Sequence, residues 1–451
     1  MVVLLTLSGC TDYRPNPLTV ETIQQQLQTP TNEQLTIQAT KITHAMLKPL
    51  NFELQDGLSP DEAAILAVLR NPELHAIRDQ HGIATAQLLQ AGLLPNPQIS
   101  YNFDAPSGGT DQGMINAFGI GLSWEATALI WRENKIIAAG KKQHSIDLHI
   151  AWQEWQIAQA AKLAVYQLIV YSKQQTLLNT MAQRLEDNRV RLQQATDMGL
   201  ATELERMAAV SAKNRVDIRL LDLEKQKILQ RQRLNRTMGL KPQKAVMLQQ
   251  NIDLATRLSL PAYKDLVHDI GNRRLDLLAL KRGYESQEER VHIAVLQQFP
   301  QISIGFNHAR DNSNLYTLGF GVSITLPIFD RNQGQIAVAR ATRQQLFDQY
   351  SNRLFQARAN IAELLDTIVS INKQIHAVAH AIPDLTNLVK AYQSAIKTGQ
   401  VDVLNYYVTW NRLTDKKIDL LSRKLQLIQA GIALETVSGI YHIATNFHGQ
   451  E

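Results

Sequence analysis

The sequence predicts a mainly α fold with short β segments, in which a unit of helix, β-hairpin, very long helix and long helix occurs twice. Three observations predict it. Two stretches, 98–124 and 299–326, alternate apolar with small or polar residues at the period of a strand. Each is followed by an almost proline-free run far longer than an ordinary helix. Landmarks in the two halves also match at an offset of roughly 200 residues, the mark of a duplicated unit.

With 451 residues, 45% hydrophobic and 19% charged, the chain has the composition of a folded protein rather than a disordered one. A formal net charge of +5, with basic and acidic residues interspersed, leaves no nucleic-acid footprint. No apolar run reaches the roughly eighteen residues that a membrane helix needs, so strands must do any crossing of a bilayer. The single cysteine closes an apolar run that ends Leu7-Ser8-Gly9-Cys10. That order resembles a bacterial lipoprotein signal, which implies cleavage before Cys10 and lipidation of its thiol. Thr11, rather than Asp, follows, which in lipoproteins fits passage to the outer membrane. No charged segment precedes the run, and the alternative is a buried free thiol. Residues 1–9 are thus expected to be a signal peptide, and the polar, proline-containing residues 10–58 a tether.

The first repeat, 59–238, opens with a capping box formed by Ser59 and Glu62, with Pro60 at the first helical position. Its helix is expected to reach Leu94, where Pro95 and Pro97 stop it. Strands follow at 98–104 and 116–124, with Ile99, Tyr101 and Phe103, then Phe118, Ile120, Leu122 and Trp124, on one face. From 129 to 198 there is no proline and one glycine, Gly140. Such a helix reaches about 100 Å. Gly199 ends it, Thr202 and Glu205 form a second capping box, and a return helix spans 201–238. Leu178, Leu185 and Leu192 repeat by seven, as do Met207, Leu221 and Ile228, a coiled-coil spacing. Residues 239–260 read as a linker.

The second repeat, 261–445, has a helix over 261–298, strands at 301–307 and 316–326, and a helix over 333–397 that Pro383 is expected to kink. Gly399 breaks it, a last helix covers 401–444, and 446–451 form a tail. Ile302, Ile304 and Phe306 share a strand face, as do Tyr316, Leu318, Phe320, Val322, Ile324 and Leu326. Leu354, Ile361, Ile368, Ile375 and Ile382 repeat by seven, with Leu364, Ile371, Val378 and Leu385 beside them. Between repeats, Asn96-Pro97-Gln98-Ile99-Ser100 matches Phe299-Pro300-Gln301-Ile302-Ser303, Gly119-Ile120-Gly121 matches Gly319-Phe320-Gly321, and Gly199 matches Gly399.

Four strands cannot close a barrel, and open sheet edges are not tolerated in lipid. If the greasy faces meet lipid, three chains would pool their strands into a 12-stranded membrane β-barrel with its small polar faces toward a lumen. The long helices would continue it as a periplasmic α-helical barrel. Tyr101, Phe118, Phe306, Phe320 and Val322 are then lipid-facing. The alternative is a soluble helical protein whose hairpins cover a helical core.

Together these features resemble the TolC-type outer membrane efflux proteins. The resemblance covers nearly the whole chain and rests on Leu7 to Cys10, the twofold helix–strand–strand–helix order and the glycine tips at 199 and 399. Asn71-Pro72-Glu73-Leu74, Gln90-Ala91-Gly92-Leu93-Leu94-Pro95-Asn96-Pro97 and Pro327-Ile328-Phe329-Asp330-Arg331-Asn332-Gln333-Gly334 look most like the heavy-metal, CzcC-like branch. The resemblance implies a homotrimeric exit duct of a tripartite efflux pump, set in outer membrane lipids. It would work with a periplasmic membrane-fusion adaptor and an inner-membrane RND-type pump, exporting divalent heavy-metal cations without a cofactor. A drug or protein export duct of the same family is one alternative. A soluble periplasmic coiled-coil scaffold is another, although the chain lacks the all-β domains of such adaptors.

The chain has no HExxH, no phosphate loop and no GxSxG, so an enzyme is not expected. The tips are the candidate sites. Met198, Gly199 and Leu200, with Thr398, Gly399 and Gln400, are expected to contact the adaptor, since a mere turn would not need Met and Leu. Simple helix termination is the alternative. The resemblance further implies a periplasmic pore constriction, for which Asp402 and Tyr406 are the candidates; a capping role for Asp402 stands equally open. His376 and His380, at i and i+4, have the spacing of a metal-binding pair but no third ligand close in sequence, and as solvated or lumen-facing histidines they need none.

Overall fold

A computed structural model describes residues 13–26, 37, 39–40, 44, 47, 57–109, 113–249, 252–397 and 403–440. After a short N-terminal helix, α1 (Val20–Gln26), the first repeat opens with α2 (Pro60–Arg70). Its capping box is formed: the Glu62 N–H donates to Ser59 Oγ at 3.2 Å, and the Ser59 N–H to Glu62 Oε2 at 2.8 Å. The single helix expected to reach Leu94 is two. A residue before proline is driven out of the helical region, so Asn71 ends α2, and α3 (Pro72–Gly92) restarts at once. The Asn71 side chain caps the start of α3 and ties it to the end of the return helix. Its Oδ1 accepts from the Glu73 and Leu74 N–H groups at 2.8 and 3.3 Å, and its Nδ2 donates to the Thr237 carbonyl at 2.9 Å.

Strands β1 (Gln98–Asp104) and β2 (Ala117–Glu125) lead into α4 (Ala128–Asp197), a helix of 70 residues. The return helix is α5 (Glu203–Thr237). In the second repeat the helix expected over 261–298 is broken into α6 (Tyr263–Val267), α7 (Ile270–Arg273) and α8 (Leu275–Leu296), with Asp269 in the left-handed region at φ 55° between the first two. Then come β3 (Ile302–Arg310), β4 (Tyr316–Ile324), α9 (Gln333–Lys397) and α10 (Val403–Ser438). The 65-residue α9 runs on through Pro383.

Helix α4 is the spine, packed against α2, α3, α5, α8 and α10, while α9 packs on α8 and α10. The main core joins the repeats: Val165 and Ile169 of α4 and Leu234 of α5 meet Leu277, Ile361, Ile368 and Leu427. A second core nearer the tips holds Leu178, Met181 and Leu185 against Val216, Leu223, Trp410 and Leu413. The α9 heptads are buried at Ile361, Ile368, Ile375, Ile371 and Val378. On α5 the buried heptad is Ala209, Val216, Leu223 and Gln230, not the expected Met207, Leu221 and Ile228, which are exposed. The helix has two stripes at the same period, and the one of smaller residues lets α4 approach closely.

The linker is part of the core. The Leu58 N–H donates to the Met247 carbonyl at 2.9 Å, the Gln249 N–H donates to the Leu58 carbonyl at 3.2 Å, and Ile252, Leu254 and Leu258 are buried. It begins at Gly239, whose φ of 62° and Leu240 N–H to Asn235 carbonyl bond of 2.7 Å close α5 with a Schellman turn. A Cβ at Gly239 would lie 2.3 Å from the Arg70 carbonyl oxygen, so only glycine fits.

Two charged clusters pin the frame. Lys162 lies 2.9 Å from Asp61, near the fully buried Glu435, which accepts from Gln159 at 3.4 Å. Burial opposes the Lys162 charge, but Asp61 and Glu435 outweigh it and hold its pKa above the ordinary value. Arg274 pairs bidentately with buried Asp276 at 2.7 and 2.9 Å and lies over the Trp152 ring.

Candidate functional site

The two hairpins form one antiparallel sheet in the order β1-β2-β3-β4. Partners in register share a face, so rows can be read across it. Ile99, Leu122, Phe306 and Phe320 make one row, and Tyr101, Ile120, His308 and Leu318 the next. Phe103, Phe118, Arg310 and Tyr316 make the third. The other face carries Gln98, Ser123, Gly305 and Gly321 in one row and Ser100, Gly121, Asn307 and Gly319 in another. The alternation seen in each strand is thus in phase across all four, through a β2–β3 ladder that no single hairpin specifies. The apolar face is bare: Leu318 is 83% exposed and Phe320 62%. Val322, Tyr101 and Phe306 are exposed with them, while Phe118 is half-buried. Among the described residues no helix is long and apolar enough to cross a membrane.

The sheet is held to the helices by side chains that also finish helix ends. Arg132 donates from Nε and Nη2 to the Gly92 carbonyl at 2.9 and 2.6 Å, satisfying the end of α3. In the second repeat Asn332 does this for α8, through the Ala294 carbonyl at 2.8 Å. Trp124 Nε1 donates to the Pro95 carbonyl at 2.9 Å. The three stretches that carry the heavy-metal resemblance therefore act as caps and junctions.

At the opposite end α4 closes with a second Schellman turn. Gly199 has φ 71°, its N–H donates to the Thr196 carbonyl at 2.9 Å, and the Leu200 N–H donates to the Ala195 carbonyl at 2.7 Å. Thr202 and Glu205 cap α5 reciprocally, at 2.7 and 3.2 Å. The Thr202 N–H, together with its hydroxyl, which donates to the same Glu205 Oε2 at 2.8 Å, holds the Glu205 carboxyl below the usual carboxylate range. The turn is therefore complete without the side chains of Met198 and Leu200, which stand 66% and 77% exposed. Cys10, Thr398, Gly399, Gln400 and Asp402 lie outside the described residues.

Tyr406 departs from the expectation of a residue lining an opening. It is 8% exposed, buried among the residues of the second core, and its hydroxyl accepts from Arg184 Nη1 at 2.8 Å. The same guanidinium lies 4.8 Å from the Trp410 ring centre, tying α4 to α10. Burial pushes the neighbouring Tyr407 hydroxyl above its ordinary pKa. Arg184 and Trp410 escaped the sequence reading because nothing local marks partners so far apart in the chain. His376 and His380 are exposed on α9 with ring centroids 6.4 Å apart, and no group of three His, Cys, Asp or Glu placed to hold a metal occurs among the described residues.

Residues 266–440 match the outer membrane efflux protein family. That span takes in most of the second repeat, with its hairpin and α9. No curated protein matches the chain in sequence. Among solved structures, the outer membrane protein VceC of Vibrio cholerae has a TM-score of 0.70 at 17% identity, over 85% of this chain and 96% of that one. The open-state outer membrane channel MtrE of Neisseria gonorrhoeae gives 0.68 at 16% identity, over 89% and 96%. CusC, described in terms of folding and transmembrane channel formation, gives 0.69 at 16% identity, over 86% and 94%. The chain has the fold of these proteins.

Proposed function

We propose that the chain is an outer membrane exit duct of a tripartite efflux pump, active as a homotrimer. The observation that carries this reading is the sheet. Both repeats contribute to one continuous apolar face, its two outer edges are open, and it sits on helices of about 100 Å. Open edges in hydrocarbon leave backbone groups unsatisfied, so neighbouring copies must supply the missing strands. Three copies close a 12-stranded barrel with the glycine-rich face toward the lumen. The exposed stripe on α5 supports assembly as well: Leu204, Met207, Ile218, Leu221 and Ile228 follow coiled-coil spacing and stay exposed among the described residues.

In this reading the lipid on Cys10 anchors the duct, and the tips at Met198–Leu200 and 398–400 meet a periplasmic membrane-fusion adaptor that joins the duct to an RND-type inner-membrane pump. Asp402, carried three times around the axis, places a ring of carboxylates at the periplasmic mouth. The cargo is divalent heavy-metal cations, supported by the three branch-like stretches. Purified protein in detergent is expected to cross-link as a trimer and to conduct in planar bilayers; a stable, non-conducting monomer overturns the duct. A deletion strain is expected to lose tolerance to zinc, cobalt, nickel, cadmium, copper or silver. Unchanged metal tolerance with raised drug sensitivity replaces the metal cargo with drugs.

A further inference from the structure

The apolar face of the sheet carries two basic side chains, His308 and Arg310, both on β3 at the end remote from the helices. They do not point away from the surface but are built into it. The Arg310 guanidinium lies 5.0 Å from the centre of the Phe118 ring. His308 stacks on Tyr316 at 5.9 Å and meets Phe118 edge-on at 6.4 Å. Three strands thus contribute to one cluster. Arg310 Nη2 donates to the Asn116 carbonyl at 2.7 Å, while its Nε is buried with no hydrogen-bond partner. Among the described residues no carboxylate pairs with either base. The nearest in sequence, Asp311, is already engaged: its Oδ1 accepts from the Ser313 N–H and hydroxyl and from the Leu315 N–H at 2.8 to 2.9 Å.

An unpaired cation is costly within hydrocarbon, and aromatic residues gather where hydrocarbon gives way to headgroups. With the helices on the periplasmic side, the remote end of the sheet lies at the outer surface, and its apolar face turns to the outer leaflet. We propose that Arg310, His308, Phe118 and Tyr316 form a binding site for the phosphate-bearing headgroup of an outer-leaflet lipid. Arginine offers a planar fork that matches phosphate oxygens, and Asn116 fixes one arm of it so that little freedom is lost on binding. Phe118 and Tyr316 hold the bases in place and cover the first methylenes of the lipid. The site rests on the membrane reading given above and adds a lipid preference to it.

The test uses the full-length wild-type protein in nanodiscs of phosphatidylcholine with a minority of phosphatidic acid, with the lipids that stay bound identified by native mass spectrometry. The expected result is several-fold enrichment of phosphatidic acid over its share of the disc. A double variant, Arg310→Gln with His308→Gln, is expected to enter discs as the wild type does and to retain lipids in the bulk ratio. Arg310→Lys, which keeps the charge, is expected to retain part of the enrichment and guards against a folding defect. Insertion without enrichment, or equal enrichment in the double variant, overturns the lipid site and leaves the membrane reading intact. Equal binding of inorganic phosphate by the detergent-solubilised protein makes it a free-ion site and overturns the lipid assignment. Failure of the wild type to enter discs of any composition overturns the membrane reading and this site with it.

Discussion

Glycines at two similar turns are required to different degrees. Gly199 and Gly239 both adopt positive φ in Schellman turns, yet a Cβ at Gly199 meets nothing within 4 Å while one at Gly239 would strike the Arg70 carbonyl. Gly199→Ala is expected to cost about 1 kcal/mol from backbone conformation alone, and Gly239→Ala clearly more, as read by chemical denaturation of the two variants side by side. Lys162→Met removes the cation that compensates Asp61 and the buried Glu435, and is expected to cost about 3 kcal/mol in the same assay. The Glu205 cap supplies a pH test. A folded-state pKa below the unfolded one means the cap's contribution is present above the ordinary carboxylate range and is lost as pH falls through the lowered value. Amide protection in the first turn of α5, compared with non-titrating Glu205→Gln, is expected to fall in acid. The capping boxes at Ser59 and Thr202 were legible in the sequence because both partners lie within one turn. The Arg184–Tyr406 bond has no such local mark, and the pore role for Tyr406 rests on the family resemblance alone.

Among the elements, the two faces of the sheet make opposite predictions. Phe320→Lys or Val322→Lys places charge on the apolar face and is expected to cost about 2–4 kcal/mol near mid-membrane, seen as loss of assembled protein from the outer membrane fraction. Gly321→Lys or Ser323→Lys lies on the other face, where Gly321 has open space, and is expected to assemble and alter conductance instead. Equal tolerance on both faces removes the barrel. The strands and very long helices could be read from sequence because period two and period 3.6 are strong over such lengths. The breaks at Asn71 and Asp269 were harder. The apolar pattern continues across Pro72, and Asp269 carries no sequence mark for its left-handed backbone. The α5 seam failed for a different reason: two stripes share one heptad, and the bulkier residues lie on the outer one.

At the scale of the whole molecule, the outer stripe of α5 is the place to separate assembly from folding. Ile218→Asp with Leu221→Asp leaves the α4-facing seam of Ala209, Val216 and Leu223 untouched. The helices are expected to keep their circular dichroism while chemical cross-linking shifts from trimer to monomer. An unshifted trimer means that this stripe serves another partner. The sheet's central ladder also dictates an order of events during biogenesis. Each hairpin zips between neighbours, but β2 and β3 join residues as remote in the chain as Phe118 and Arg310. Contacts of such high sequence separation come late, because loop closure is unfavourable until intervening structure has formed. Here that intervening structure is α4 and α5, whose out-and-back path delivers the two hairpins to one place. The four-stranded sheet is therefore expected to be absent from the nascent chain until the helical hairpin has folded. A truncation lacking the second repeat is then expected to form helices yet expose β2 as an unpaired edge, a ready nucleus for aggregation.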